Sequence, residues 1–115
     1  DFTDSGRTLI LFDNGDKDSR HFSRIVEYKL NQQNKKVTSF RPYTIPDLFA
    51  ENKGSVQVCG DNYFICGGSG NFILLADRRT GAVRFKMTYN HTSFRAYYAS
   101  DITGIVIGKN IKNSD

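Results

Sequence analysis

The chain repeats itself. Leu30-Asn31-Gln32-Gln33-Asn34-Lys35-Lys36-Val37 and Ala76-Asp77-Arg78-Arg79-Thr80-Gly81-Ala82-Val83 follow one scheme at an offset of 46 residues. Each copy is the end of an apolar strand, an Asn or Asp, a polar turn, then a strand led by Val. Few architectures accept such a period. A repeat of roughly 40–50 residues built from short strands is the mark of propeller blades, each a four-stranded sheet. The 115 residues therefore hold about two such units, unless two unrelated hairpins merely share turn chemistry. The reading is an all-β chain: antiparallel sheets, about two blades of a β-propeller.

Short runs separated by turn residues agree with this. Strands are expected at Thr8 to Phe12, Ile25 to Leu30, Lys36 to Tyr43, Ser55 to Cys59, Tyr63 to Cys66, Phe72 to Ala76 and Ala82 to Tyr89, with one more over Ser93 to Ala99. The nine Phe and six Tyr suit pleated, half-buried surfaces. Val37, Phe40 and Tyr43 are candidate core residues. Asp13-Asn14-Gly15-Asp16 ends the first run with strong turn chemistry. Ile45 to Ala50, after Pro42, is compatible with one helical turn capped by Thr44 and carrying Pro46 early. Residues 1–108 read as the blade-like part and 109–115 as a polar, frayed tail. The opening Asp1-Phe2-Thr3 reads as the start of an excised segment.

A net charge of +4 is mild, and no recognition module accompanies it, so nucleic acid is not an expected partner. The apolar runs fall far short of the ~20 residues of a membrane-spanning helix. Two cysteines, Cys59 and Cys66, form no Cys-x-x-Cys pair, and neither a metal nor any other cofactor is expected. Across a two-residue Asp61-Asn62 turn the two thiols share a face diagonally, roughly 7–8 Å apart. That is too far for an unstrained disulfide, although a four-residue loop would set them opposite. The expectation is two buried free thiols.

Chemistry-bearing motifs are few. His21 lies in a charged loop and His91 in Asn90-His91-Thr92, which also matches an N-glycosylation acceptor. Both histidines read as surface residues. Asp13, Asp16 and Asp18 lack the spacing of a calcium loop. Gly67-Gly68-Ser69-Gly70 is followed by a strand rather than by Lys and a helix, so it reads as an inter-strand turn and not a phosphate cradle. Arg95, in Ser93-Phe94-Arg95-Ala96-Tyr97-Tyr98, is the most informative single residue. Its planar fork either ties down a neighbouring carboxylate or meets the oxygens of a sulfate or phosphate.

Thr8-Leu9-Ile10-Leu11-Phe12-Asp13-Asn14-Gly15-Asp16, then Ser23-Arg24-Ile25-Val26-Glu27-Tyr28-Lys29-Leu30, resembles the late region of the bacterial arylsulfotransferase family. There a strand ending in Asp-Asn-Gly precedes a Ser-Arg-x-x-Glu-Tyr strand. Gly54-Ser55-Val56-Gln57-Val58, Cys66-Gly67-Gly68 and Phe94-Arg95-Ala96 follow in the family's order, so the resemblance runs over roughly residues 6 to 100. It implies a six-bladed propeller, a periplasmic or extracellular location, and transfer of a sulfuryl group from an aryl sulfate donor to a phenolic acceptor. It implies no phosphoadenosine phosphosulfate and a transiently sulfurylated histidine. The family's nucleophilic histidine lies upstream of the Asp-Asn-Gly strand, and neither His21 nor His91 matches it. A threonine of the family beside the Gly54-Ser55 block corresponds to Gly54 here, with Ser55 a partial substitute.

Two expectations stand. One is the C-terminal part of a sulfotransferase-like propeller, lacking its nucleophile, with Arg95 and Ser55 as substrate-binding residues and no catalytic residue within the chain. The other is a non-catalytic binding or scaffold module. In either case exposed strand edges invite self-association.

Overall fold

Among the described residues eight strands form two sheets, and each sheet is a meander without a crossover. The computed structural model describes residues 1–99. The first sheet joins β1 (Phe2–Thr3), β2 (Thr8–Asp13), β3 (Arg24–Asn31) and β4 (Lys36–Thr44) in that order. The second joins β5 (Ser55–Cys59), β6 (Asn62–Cys66), β7 (Phe72–Asp77) and β8 (Val83–Thr88). All pairings are antiparallel, which agrees with two blade-like units. Among the described residues no helix is long and apolar enough to cross a membrane.

The repeat holds down to single hydrogen bonds. Asn31 Oδ1 accepts the N–H groups of Gln33 and Asn34, and Asp77 Oδ1 accepts those of Arg79 and Thr80. Lys35 and Gly81 take the matching positive φ, 55° and 74°. Both outer strand pairs break register at the same place, between Lys29 and Leu30 and between Leu75 and Ala76. Each pair of positions differs by 46 residues, so shared turn chemistry alone does not explain the match. The side-chain oxygens hold each turn as a local substitute for backbone ladder bonds.

The two sheets stack face to face. Ile10 and Ile25 of the first meet Val56, Tyr63, Ile65, Phe72, Leu74 and Ala76 of the second. Ile45 and Leu48 of the linking segment, each 1% exposed, fill the space beside them. Burying a side chain of this size contributes about 1.5–3 kcal/mol. Glu27, Tyr63 and Arg78 clasp the sheets at the margin of this core. The Tyr63 hydroxyl donates to Glu27 Oε1 at 2.6 Å, and Arg78 Nη2 donates to the same oxygen at 2.8 Å.

Several expectations are corrected. Ile45 to Ala50 is not a helix but a single turn, with one Leu48 N–H to Ile45 C=O bond. Asp47 takes φ 58°, which ends any right-handed helix. No strand runs through Ser93 to Ala99, because Tyr98 bonds the Gln57 side chain instead of a neighbouring backbone. Val37 and Phe40 are not core: they are 56% and 51% exposed on the outer face of the edge strand β4. Only Tyr43 packs against the core. The hairpin turn is Gly60-Asp61, which pairs Cys59 with Asn62 and Cys66 with Ser55. The cysteines are thus at opposite ends of their strand pair, both free, with Cys66 buried and Cys59 half-buried. Strand β1 had no sequence signal. The tail expected over 109–115 lies outside the described residues.

Candidate functional site

A cleft of about 450 Å³ opens where β2 approaches β5. Ile10, Leu11 and Phe12 form one wall and Ser55, Val56 and Gln57 another, and Arg95, Ala96 and Tyr97 close the rim. Both residues singled out from the sequence, Ser55 and Arg95, therefore lie on one cleft although 40 positions separate them.

The Asp-Asn-Gly turn and the buried serine after it build this arrangement. Asn14 Nδ2 donates to the carbonyls of Ala50 and Lys53, 3.1 and 2.8 Å away. Ser23, fully buried, takes the N–H groups of Gly15 and Ala50 on its hydroxyl and donates to the Ala50 carbonyl. Together they anchor the link that delivers Ser55 to the start of β5. Asp13 holds Arg20 and Arg24 at 2.9 and 2.7 Å. Burial raises the Asp13 pKa, but those two guanidinium groups outweigh it and hold the carboxyl below its usual value. Asp13 is thus tied down by its arginines and Asp16 by the Asp18 N–H.

Gly54 sits at φ 90°, and a Cβ there would come within 2.8 Å of the Phe12 ring and 2.9 Å of the Cys66 carbonyl. A β-branched residue does not fit. The threonine that the family resemblance implies at this place is excluded by backbone conformation and by space, and Ser55 is the one aliphatic hydroxyl on the described lining.

Arg95 is exposed, and its Nη1 donates to the Tyr97 hydroxyl at 3.4 Å. It forms no ion pair among the described residues, so the carboxylate tie considered from sequence is not what the structure shows. Gln57 holds the segment that carries it, accepting the Tyr98 N–H at 3.1 Å and donating to the Tyr98 carbonyl at 3.4 Å. Tyr98 also meets Phe64 edge-on, with ring centroids 6.1 Å apart. Gln57 and Tyr97 were not identified from sequence; the nearest signal was the Phe-Arg-Ala-Tyr-Tyr run itself.

Asp1 also borders the cleft, but its carboxylate is occupied by the N–H groups of Phe2 and Val58. His21 and His91 are exposed and lie on neither wall. The site therefore offers a guanidinium, a hydroxyl and a phenol beside an apolar wall. That set suits a planar aryl group bearing an oxyanion, and no imidazole lines it.

The family model for arylsulfotransferase (ASST) matches residues 1–107. No curated protein and no solved structure matches the chain.

Proposed function

Since the chain belongs to the arylsulfotransferase family, we propose that its two meanders are adjoining blades near the C-terminal end of a six-bladed propeller that moves a sulfuryl group from an aryl sulfate to a phenol. The observation that carries this reading is the meeting of Ser55 and Arg95 on one cleft between the units. The Arg95 guanidinium pairs with the non-bridging sulfuryl oxygens, Ser55 donates a further hydrogen bond, and the wall of Leu11, Phe12 and Tyr97 accepts the ring. The nucleophile is a histidine from another part of the intact protein. The S–O bond to the donor breaks as an N–S bond forms, and the donor leaves as its phenolate. The acceptor phenol, giving its proton to that departing phenolate or to solvent, then attacks sulfur through its oxygen as the N–S bond breaks and the imidazole is restored. A periplasmic or extracellular location is part of this proposal.

Two expectations test this. The isolated chain releases no phenol from a chromogenic aryl sulfate above the buffer rate. In the intact protein, Arg95→Ala lowers kcat/KM by about 10²-fold, the scale of losing one oxyanion donor, and Arg95→Lys restores part of it. An Arg95→Ala protein with native circular dichroism and an unchanged rate would remove Arg95 from the site. The absence of an imidazole from the described lining favours one other reading, a non-catalytic binding module. That reading gains if the intact protein binds aryl sulfates but transfers nothing.

A further inference from the structure

A second cleft, of about 640 Å³, lies between the two sheets and shares no lining residue with the first. One wall comes from β3 and β4, the other from the β7–β8 turn and β8. On β3, Glu27 and Lys29 share a face with the core residue Ile25, and the register sets Arg41 opposite Glu27 and Tyr43 opposite Ile25. The first wall is therefore the face turned toward the second sheet and not the outward one. The Glu27–Arg78 pair joins the two walls.

Five cations and three carboxylates line this cleft. Three of the cations are matched: Arg78 by Glu27 at 2.8 Å, Lys29 by Asp4 at 2.9 Å, and Arg84 by Asp77. Among the described residues Arg41 and Arg79 form no ion pair, and they stand on different walls. Asp61 is the lining carboxylate without one. Both arginines are exposed, yet each is held. The Arg41 guanidinium lies over the Tyr43 ring, 4.6 Å from its centroid. Stacking occupies the face of a guanidinium and leaves its N–H edge for an acceptor. Arg79 sits on the turn fixed by Asp77, whose Oδ1 accepts the Arg79 and Thr80 N–H groups at 2.9 Å.

We infer that this cleft binds a small molecule carrying two oxyanion groups, one on Arg41 and one on Arg79, so that the ligand bridges the two sheets. A guanidinium fork matches the paired oxygens of a carboxylate or a phosphate. The space is that of a small-molecule site. A dicarboxylate and a diphosphate share the required chemistry. The inference rests neither on sulfuryl transfer nor on Arg95, and its test measures no activity.

Isothermal titration calorimetry on the intact protein, at one ionic strength, uses succinate and pyrophosphate as probes and acetate as the single-oxyanion control. At least one of the two probes is expected to bind saturably, and acetate about tenfold or more weaker. Succinate alone identifies a carboxylate ligand, pyrophosphate alone a phosphate one. Arg41→Ala and Arg79→Ala each weaken binding by about tenfold or more, the scale of one charge-assisted hydrogen bond. Asp61→Asn tightens it by about threefold or more, because a like charge leaves the rim. Arg95→Ala leaves it unchanged, which separates this cleft from the first. Arg41→Gln and Arg79→Gln replace either variant if its circular dichroism is not native. The inference is overturned if neither probe binds saturably or acetate binds equally well. It is also overturned if affinity is unchanged in either arginine variant, is not raised by Asp61→Asn, or is lost in Arg95→Ala.

Discussion

Replacing Glu27 with alanine is expected to destabilise the fold by about 3–5 kcal/mol, the scale of breaking a buried ion pair on one side. Glu27 is only 7% exposed, and it is the acceptor for both the Tyr63 hydroxyl and the Arg78 guanidinium. Alanine leaves the Tyr63 hydroxyl unpaired in the core and Arg78, lying over the Tyr63 ring at 5.5 Å, without its counter-charge. A native stability of about 5–15 kcal/mol makes that a large loss. Urea denaturation at one fixed protein concentration measures it, and a change under about 1 kcal/mol would show that the clasp does not hold the sheets. The pH dependence follows. Burial raises the Glu27 pKa, but the hydrogen bonds from Tyr63 and Arg78 and the Arg78 charge outweigh it, leaving the carboxyl below 4.5. Its contribution is therefore complete above the unfolded value of about 4.3 and is lost as pH falls through the lower folded value. Burial, then Glu27, pushes the Tyr63 phenol well above its ordinary 10.0. Its contribution is present below pH ~10 and declines as the unfolded phenol ionises. Glu27→Ala flattens the acid limb of the wild-type profile.

Gly68→Ala is expected to cost about 3 kcal/mol or more and to disturb the cleft as well as the fold. Gly68 takes φ 52°, a conformation that alone costs a side-chain-bearing residue about 1–2 kcal/mol. A Cβ would also lie 2.5 Å from the Gly54 nitrogen, 2.6 Å from the Asn52 carbonyl oxygen and 2.7 Å from the Lys53 carbonyl carbon. All three are backbone atoms, so no side-chain rotation relieves the clash. The same loop clamps the 51–54 segment through Ser69, whose hydroxyl accepts the N–H groups of Glu51 and Asn52 and whose N–H bonds Asn52. Displacing it displaces the approach to Ser55. Gly60→Ala is the control, since Gly60 shares a positive φ, 57°, but has no atom within 4 Å of its added Cβ. The strain then separates from the contact. Equal losses at Gly60 and Gly68 in thermal melts would refute the close-approach argument.

Turn chemistry and strand alternation were legible because they act over a few residues. Asn31 and Asp77 bond N–H groups two and three positions ahead, so the repeat alone marks both as turn residues. The glycine run was legible as an inter-strand turn for the same reason. The Asp-Asn-Gly turn was visible, but not its task, since Asn14 reaches carbonyls 36 and 39 residues away.

Composition and periodicity determined an all-β chain of two repeated units, and residue type marked Ser55 and Arg95. Only the tertiary structure decided which apolar residues are core. Phe40 and Val37 sit in a run whose residue types suit a buried strand, yet a register shift puts both on the outward face, away from the stacking partner of their sheet. It also decided that Ser55 and Arg95 share a cleft, and that Gly54 admits no threonine. Strand pairing is local, whereas the choice of which sheet faces meet rests on contacts between residues tens of positions apart, and a single strand carries no record of its distant neighbour.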